Sequence, residues 1–232
     1  MNKNLIFTAT YNEKENIGEF INSVFDLNIK VDLLIIDDNS PDKTWEIIQT
    51  YQNKFKNIIL IKREKKMGLD TANKLAFNFA KNKNYKNFIS LDADLSHDPK
   101  MIPIFLNELN LNAFVIGSRY IKGGENHMNL KRYLLSYLGN KLIKFVTKID
   151  VNEFTTSFRG FNLKMMHEFD LNIVRSKGYS FFMETIFRIN ESGYKIKEIP
   201  IVFKDRTKGY SKIPKIETFR TLKNIFLLKF FN

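Results

Sequence analysis

Phe88-Ile89-Ser90-Leu91-Asp92-Ala93-Asp94-Leu95-Ser96-His97-Asp98-Pro99 joins a short apolar run to two carboxylates spaced two residues apart. In extended backbone, residues i and i+2 leave the same face. Asp92 and Asp94 are therefore expected side by side at a strand end, the carboxyl edge where open α/β sheets bind ligands. Carboxylate oxygens suit a hard divalent cation, and Mg²⁺ takes one or two of them together with substrate phosphates. Alone the D-x-D pattern is weak; its neighbours along the chain give it weight.

Upstream, strand and helix signals alternate. Leu5–Thr8 reads as a strand, and Ile17, Phe20, Ile21, Val24 and Phe25 recur at helical spacing. Asp32–Asp37 is a strand apolar enough to be buried on both faces. Thr44–Phe55 is a predicted helix, Ile58–Ile61 a strand, Thr71–Asn82 a helix and Phe88–Leu91 a strand. A helix is expected from Pro99 to Leu109, followed by a strand at Ala113–Ile116. Repeated β-α-β units of this length predict a mostly parallel sheet covered by helices. Right-handed crossovers would put the loops that follow the strands on one edge.

The second half is less regular. A loop over Ile121–Asn129, a long helix over Leu130–Lys148, a strand at Phe158–Asn162 and a helix over Phe181–Ser192 are expected. Lys195–Phe203 reads as one strand, followed by a basic loop over Lys204–Lys212 and a last helix over Pro214–Phe230. No repeat or linker interrupts the chain, so residues 1–232 are read as a single domain. It divides into a regular first half, 1–116, and a less regular second half, 117–232.

Charge divides the halves. Residues 1–116 hold 15 Lys/Arg and 15 Asp/Glu, whereas residues 117–232 hold 22 and 10, which accounts for the whole net charge of +12. An anionic partner for the second half follows: nucleic acid, phosphate or an anionic membrane, against a plain solvated lysine surface. The absence of cysteine excludes disulfides, thiolate ligands and a cysteine nucleophile. No apolar run approaches the ~18 residues that would span a bilayer, and the N-terminus carries no signal-peptide pattern. A protein that is soluble or bound at a membrane surface is the expectation.

Thr8-Ala9-Thr10-Tyr11-Asn12-Glu13 and Asp37-Asp38-Asn39-Ser40-Pro41-Asp42 follow the first two strands. Glu13, Asp37 and Asp38 would then crowd the same crevice as Asp92 and Asp94, a repulsion that needs a cation or ligand donors. Ser40 and Asp42 are expected chiefly to cap a helix. His97 is expected to be structural, His127 and His167 have no partner pattern, and Glu184 is a candidate for the acceptor side.

TYNEKENI, IIDDNSPDKT, GLDTA, LDADLSHDP, GSRYIKGG, Arg132-x3-Ser136-x3-Asn140 and DRTKGYSK occur in this order. Together they resemble family 2 glycosyltransferases of GT-A fold, in the dolichyl-phosphate or polyprenyl-phosphate mannose synthase branch. The resemblance runs from about Leu5 to Lys212. It implies that Ala9, Tyr11 and Glu13 hold base and ribose, with Ile36 and Asp38 contacting the base. It implies that Asp92, Ala93 and Asp94 bind the sugar nucleotide, with Asp94 the chief ligand of Mg²⁺ or Mn²⁺, and that Asp92 and Ser96 assist. Arg119, Arg206 and Lys212 correspond to cations gripping the donor diphosphate, and Arg132 and Ser136 to the pair receiving the acceptor phosphate.

The implied reaction is an inverting transfer of a hexose, mannose or similar, from a nucleoside diphosphate sugar to a polyprenyl or dolichyl monophosphate. GDP-mannose is the favoured donor, and a membrane-anchoring partner is a further possibility. Ala9 and Asp70 depart from the family's proline and glycine, and Glu153–Arg159 follows its D-x-T-S-G-F-R only loosely. The helix 130–148 interleaves Lys131, Lys141, Lys144 and Lys148 with many apolar residues, which suits an anionic bilayer surface; a core helix with a basic edge is the alternative. The C-terminal Phe219–Phe231 offers a second such surface. A hydroxyl acceptor, which would need a general base, a non-catalytic sugar-nucleotide binder and a nucleic-acid binder are the rival readings; the acidic loops of the first half argue against nucleic acid.

Overall fold

The computed structural model describes residues 3–205. Its centre is a seven-stranded sheet in the order β3-β2-β1-β4-β7-β5-β8. The strands are β1 (Asn4–Thr10), β2 (Asp32–Asp37), β3 (Ile58–Lys62), β4 (Asn87–Ser90), β5 (Phe114–Ser118), β7 (Arg159–Asn162) and β8 (Ile196–Pro200). All run one way except β7, which lies antiparallel between β4 and β5. The helices are α1 (Ile17–Phe25), α2 (Thr44–Lys54), α3 (Leu69–Asn82), α4 (Ile102–Glu108), α5 (Leu130–Thr147) and α6 (Tyr179–Glu191). The mostly parallel, helix-covered sheet expected from the alternating pattern is present.

Alternation along each strand sorts the core into two layers. Leu5, Phe7, Leu34, Ile36, Phe88 and Phe114 pack with Ala72, Ala76 and Phe77 of α3 and Phe182 and Ile186 of α6. Ile6, Leu33, Ile35, Ile89 and Val115 point the other way, onto Ile17, Phe20 and Ile21 of α1 and Ile102 and Phe105 of α4. Sequence order places the crevice: β1, β2 and β3 step outward on one side, then β4 returns to the other side of β1. That reversal is a topological switch point, where the loops after the two strands diverge and leave room for a ligand.

Three segments differ from their sequence reading. The expected helix from Pro99 opens as a 3₁₀ turn, Pro99–Met101, whose start is capped by Asp98 accepting from the Lys100 amide. The strand expected over Lys195–Phe203 breaks after Pro200. The Ile201 amide donates to the Ser118 carbonyl, and Val202–Phe203 (β9) pairs instead with Glu125–Asn126 (β6) in a small second sheet. The loop expected over Ile121–Asn129 therefore contains a strand. Its tight course requires Gly124, since a Cβ there would lie 2.6 Å from the Ser118 carbonyl oxygen.

Candidate active site

The loop after β4 carries the D-x-D. Leu95 adopts a left-handed φ of 61°, and the turn closes when the Ser96 amide donates to Asp94 Oδ1 at 3.1 Å. Asp94 is nearly enclosed, whereas the Asp92 side chain is 38% exposed. Ala93 and Ser96 are buried beneath them.

Three of the other expected carboxylates accept hydrogen bonds from protein donors. Asp37 accepts from the Thr10 hydroxyl at 2.8 Å, from the Ser40 amide at 2.9 Å and from the Ser40 hydroxyl at 2.6 Å. Asp38 accepts from Arg63 and from the amides of Met67 and Gly68. Glu13 accepts from Asn16 Nδ2 at 2.7 Å. The foreseen repulsion among these loops is thus eased by donors within the protein. Ser40 does not cap α2: its hydroxyl bridges Asp37 and the Asn12 amide. Asp42 accepts from the Thr44 amide at the helix start and from the Lys14 amide.

Asp38 thereby orders the β3–α3 loop, where Gly68 sits at φ 94°. Tyr11 is half-buried, with the Lys66 ammonium 4.1 Å from its ring centre. Ala9 lies opposite Ile36 in the β1–β2 register, and Ile36 is wholly enclosed in the core. Asp70 accepts from the Gly178 amide at 3.2 Å and so ties α3 to the segment before α6.

Arg119 lies at the end of β5 and is nearly buried. Its Nε and Nη2 donate to the two oxygens of Glu153 at 2.7 and 2.9 Å, and Nη2 also reaches Thr155 Oγ1. Glu153 is fully buried. Burial pushes its carboxyl up, but Arg119 and Thr155 outweigh that and hold it below the ordinary range. Glu198 of β8 accepts from the amides of Asn152 and Glu153 and fixes this loop. Arg159, also buried, donates to the carbonyls of Thr156 and Phe154, and burial lowers it to about 9. Its Nη1 finds no hydrogen-bond partner among the described residues.

His97 joins the two loops. Its Nε2 lies 3.1 Å from Thr156 Oγ1, its ring packs on Phe158 and Phe203, and its backbone bridges to Phe203. Burial drives it down to about 4. The ring is therefore neutral near pH 7, and its 3.7 Å approach to Asp92 is not an ion pair.

On α5, Arg132 pairs with Asp205 at 2.6 Å. Ser136 Oγ accepts from the Tyr120 hydroxyl at 2.7 Å, and Asn140 Oδ1 accepts from the Phe154 amide at 2.7 Å. The expected polar line exists, and its lower end docks α5 onto the loops after β5 and before β7. Lys204 donates its amide to the Ser96 carbonyl, so Asp205 lies one residue from the D-x-D turn. Arg206, Lys212 and the last helix lie outside the described residues.

Tyr179, at the start of α6, was not foreseen. Burial raises its pKa, the charges of Asp92 and Asp94 raise it further, and Arg119 and Arg132 oppose them. Glu184 faces elsewhere: it accepts from the amides of Arg175 and Ser176 and pairs with Arg188.

Asp92 and Asp94, one open and one enclosed, have the chemistry of ligands for a hard divalent cation, which typically takes one or two carboxylates together with substrate phosphates. Among the described residues no group of three or more His, Cys, Asp or Glu is placed to hold a metal ion. The pair sits at the sheet's switch point, where open α/β folds bind ligands. Residues 5–169 match the profile of the glycosyl transferase family 2, and the chain belongs to that family: it is a glycosyltransferase. It is 29% identical over 214 residues to polyprenol monophosphomannose synthase of Mycolicibacterium smegmatis, covering 91% of this chain and 81% of that one. It is 30% identical over 210 residues to undecaprenyl-phosphate mannosyltransferase of Micrococcus luteus, covering 90% and 86%. Among solved structures it shares the fold of the mannosyltransferase PcManGT from Pyrobaculum calidifontis, in complex with GDP-Man and Mn²⁺. That likeness has a TM-score of 0.57 at 14% identity and covers 90% of this chain and 58% of the other.

Proposed function

We propose that this chain transfers mannose, or a similar hexose, from a nucleoside diphosphate sugar to a polyprenyl or dolichyl monophosphate with inversion at the anomeric carbon. GDP-mannose is the favoured donor. The observation that carries the reading is the link between Arg132 and the D-x-D turn: Asp205 holds Arg132, and the adjacent Lys204 amide bonds the Ser96 carbonyl. The names of the two relatives agree with it.

Tyr11, Glu13, Asp38 and the backbone around Ala9 and Ile36 receive the nucleoside, while Asp92, Ala93 and Asp94 meet the diphosphate. Mg²⁺ or Mn²⁺ held by Asp94, with Asp92 and Ser96 beside it, would supply positive charge to the departing diphosphate; the PcManGT complex contains Mn²⁺. Arg206 and Lys212 stabilise the same developing charge, a leading catalytic contribution. Arg119, already committed to Glu153, contributes mainly by shaping the wall. Arg132 and Ser136 orient the acceptor phosphate. Its oxygen forms the new bond to the anomeric carbon as the bond to the diphosphate breaks on the opposite side. A phosphate monoester is already anionic near pH 7, so no general base is needed.

The acceptor's lipid tail calls for a membrane surface. Only Asn140 and Ile143 of α5 are buried, while Leu130, Leu134, Leu135, Leu138, Leu142 and Phe145 are exposed. With Lys131, Lys141 and Lys148 also exposed, this helix suits the interface of an anionic bilayer. Among the described residues no helix is long and apolar enough to cross a membrane. The protein would act peripherally at the cytoplasmic face, alone or with an anchoring partner, as one catalytic domain whose first half holds the donor and second half the acceptor. A screen of nucleotide-sugar donors against polyprenyl phosphate with Mn²⁺ tests this; labelled lipid is expected, and transfer only to soluble hydroxyls would reject the acceptor.

A further inference from the structure

Arg132 does not wait empty for its phosphate. It donates to Asp205 Oδ1 at 2.6 Å across 73 residues of sequence, with both side chains about two-fifths exposed. The first turn of α5 contains no acidic residue of its own, so the carboxylate reaches this basic helix start from another element. Asp205 is presented by a braced strap: β9 pairs with β6, Phe203 bridges to His97 and the Lys204 amide bonds Ser96.

We propose that Asp205 is an acceptor-specificity residue: its carboxylate occupies Arg132 until a phosphate monoester displaces it. This rests on the reading that Arg132 receives the acceptor phosphate. The chemistry favours such an exchange. A phosphate monoester carries between one and two negative charges at pH 7 and three acceptor oxygens, and arginine grips it in bidentate fashion. A single carboxylate in an exposed pair is held weakly. Parked there, it loses to a phosphate monoester yet shields Arg132 from weaker anions. It also repels the donor diphosphate, which lies beside the same crevice and would otherwise be captured by a bare guanidinium.

Initial-rate kinetics on the full chain, varying polyprenyl phosphate at saturating donor, test the idea with inorganic phosphate as a competing ligand. Asp205→Asn should lower the acceptor KM about two- to five-fold, the factor a partly exposed ion pair supports, and tighten inhibition by inorganic phosphate equally. Asp205→Glu should restore wild-type values. Combined with Arg132→Ala, Asp205→Asn should have no further effect on acceptor KM. An acceptor KM that is unchanged or higher in Asp205→Asn, while Arg132→Ala raises it, would overturn the proposal and leave the reading of Arg132 standing. If Arg132→Ala leaves acceptor KM unchanged, that reading falls and takes this proposal with it. A melting curve for each variant separates these outcomes from a failure to fold.

Discussion

Removing the Glu153 carboxylate should expose how strongly the wall of the site depends on one buried pair. Glu153 is fully enclosed, and it satisfies Arg119 through two bonds and Thr155 through its amide and hydroxyl. In Glu153→Ala the nearly buried guanidinium keeps its charge and loses its partner, a change that typically costs about 3–5 kcal/mol. For a chain of this size each kcal/mol lowers Tm by about 2–4 °C, so a fall of roughly 6–20 °C is expected. Replacing both partners, as Arg119→Met with Glu153→Met, removes the uncompensated charge and should recover much of the loss. The pair also sets a pH dependence. The folded-state carboxyl lies below its ordinary value, so its contribution is complete above the unfolded carboxylate range and is lost as acid protonates the folded form. Glu153→Gln should flatten that acid limb. Thermal and urea melts from neutral to acid pH provide the assay. A Glu153→Ala protein within about 1 kcal/mol of wild type would refute the reasoning, because an unpaired buried charge cannot be that cheap.

Other consequences are open to test. Arg206→Ala and Lys212→Ala should each weaken donor binding by about 1.5–3 kcal/mol, the usual loss of a hydrogen bond to a charged group; donor titration with both variants equal to wild type would make that loop mere surface. Phe145→Glu places a charge on the most exposed aromatic of α5 and should reduce sedimentation with anionic vesicles, with wild-type binding weakening as salt rises. Unchanged sedimentation would remove α5 from the membrane surface. Asp70→Gly deletes the tie between α3 and Gly178 and should lower stability by about 1 kcal/mol or more, read by urea denaturation.

The sheet was legible wherever a strand was a continuous apolar run. Asp32–Asp37 was read with the boundaries it has, because all six residues are buried and flanking polar residues end the run. The antiparallel insertion of β7 was not legible, since strand order depends on contacts distant in sequence. The break in the last strand was not legible either, because β9 leaves the main sheet for a pairing with β6 that is distant in sequence. At the site, the D-x-D stood out because two carboxylates closely follow a fully buried strand. Glu153 did not, because a buried carboxylate and a solvated one look alike until a partner 34 residues away is in place. Tyr179 and Arg63 were missed for the same reason. Glu184, a candidate for the acceptor side because of its aromatic surroundings, accepts from backbone amides just before its own helix.

Transfer of labelled mannose from GDP-mannose to polyprenyl phosphate with Mn²⁺, compared between wild type and Asp94→Asn, tests the central claim most directly. Asp94→Asn keeps the shape of the side chain and removes its charge. The account predicts mannosyl lipid from the wild type, none in excess EDTA, and none from a fully folded Asp94→Asn protein. Mannosyl lipid formed at the wild-type rate by Asp94→Asn, or by wild type in excess EDTA, would contradict it.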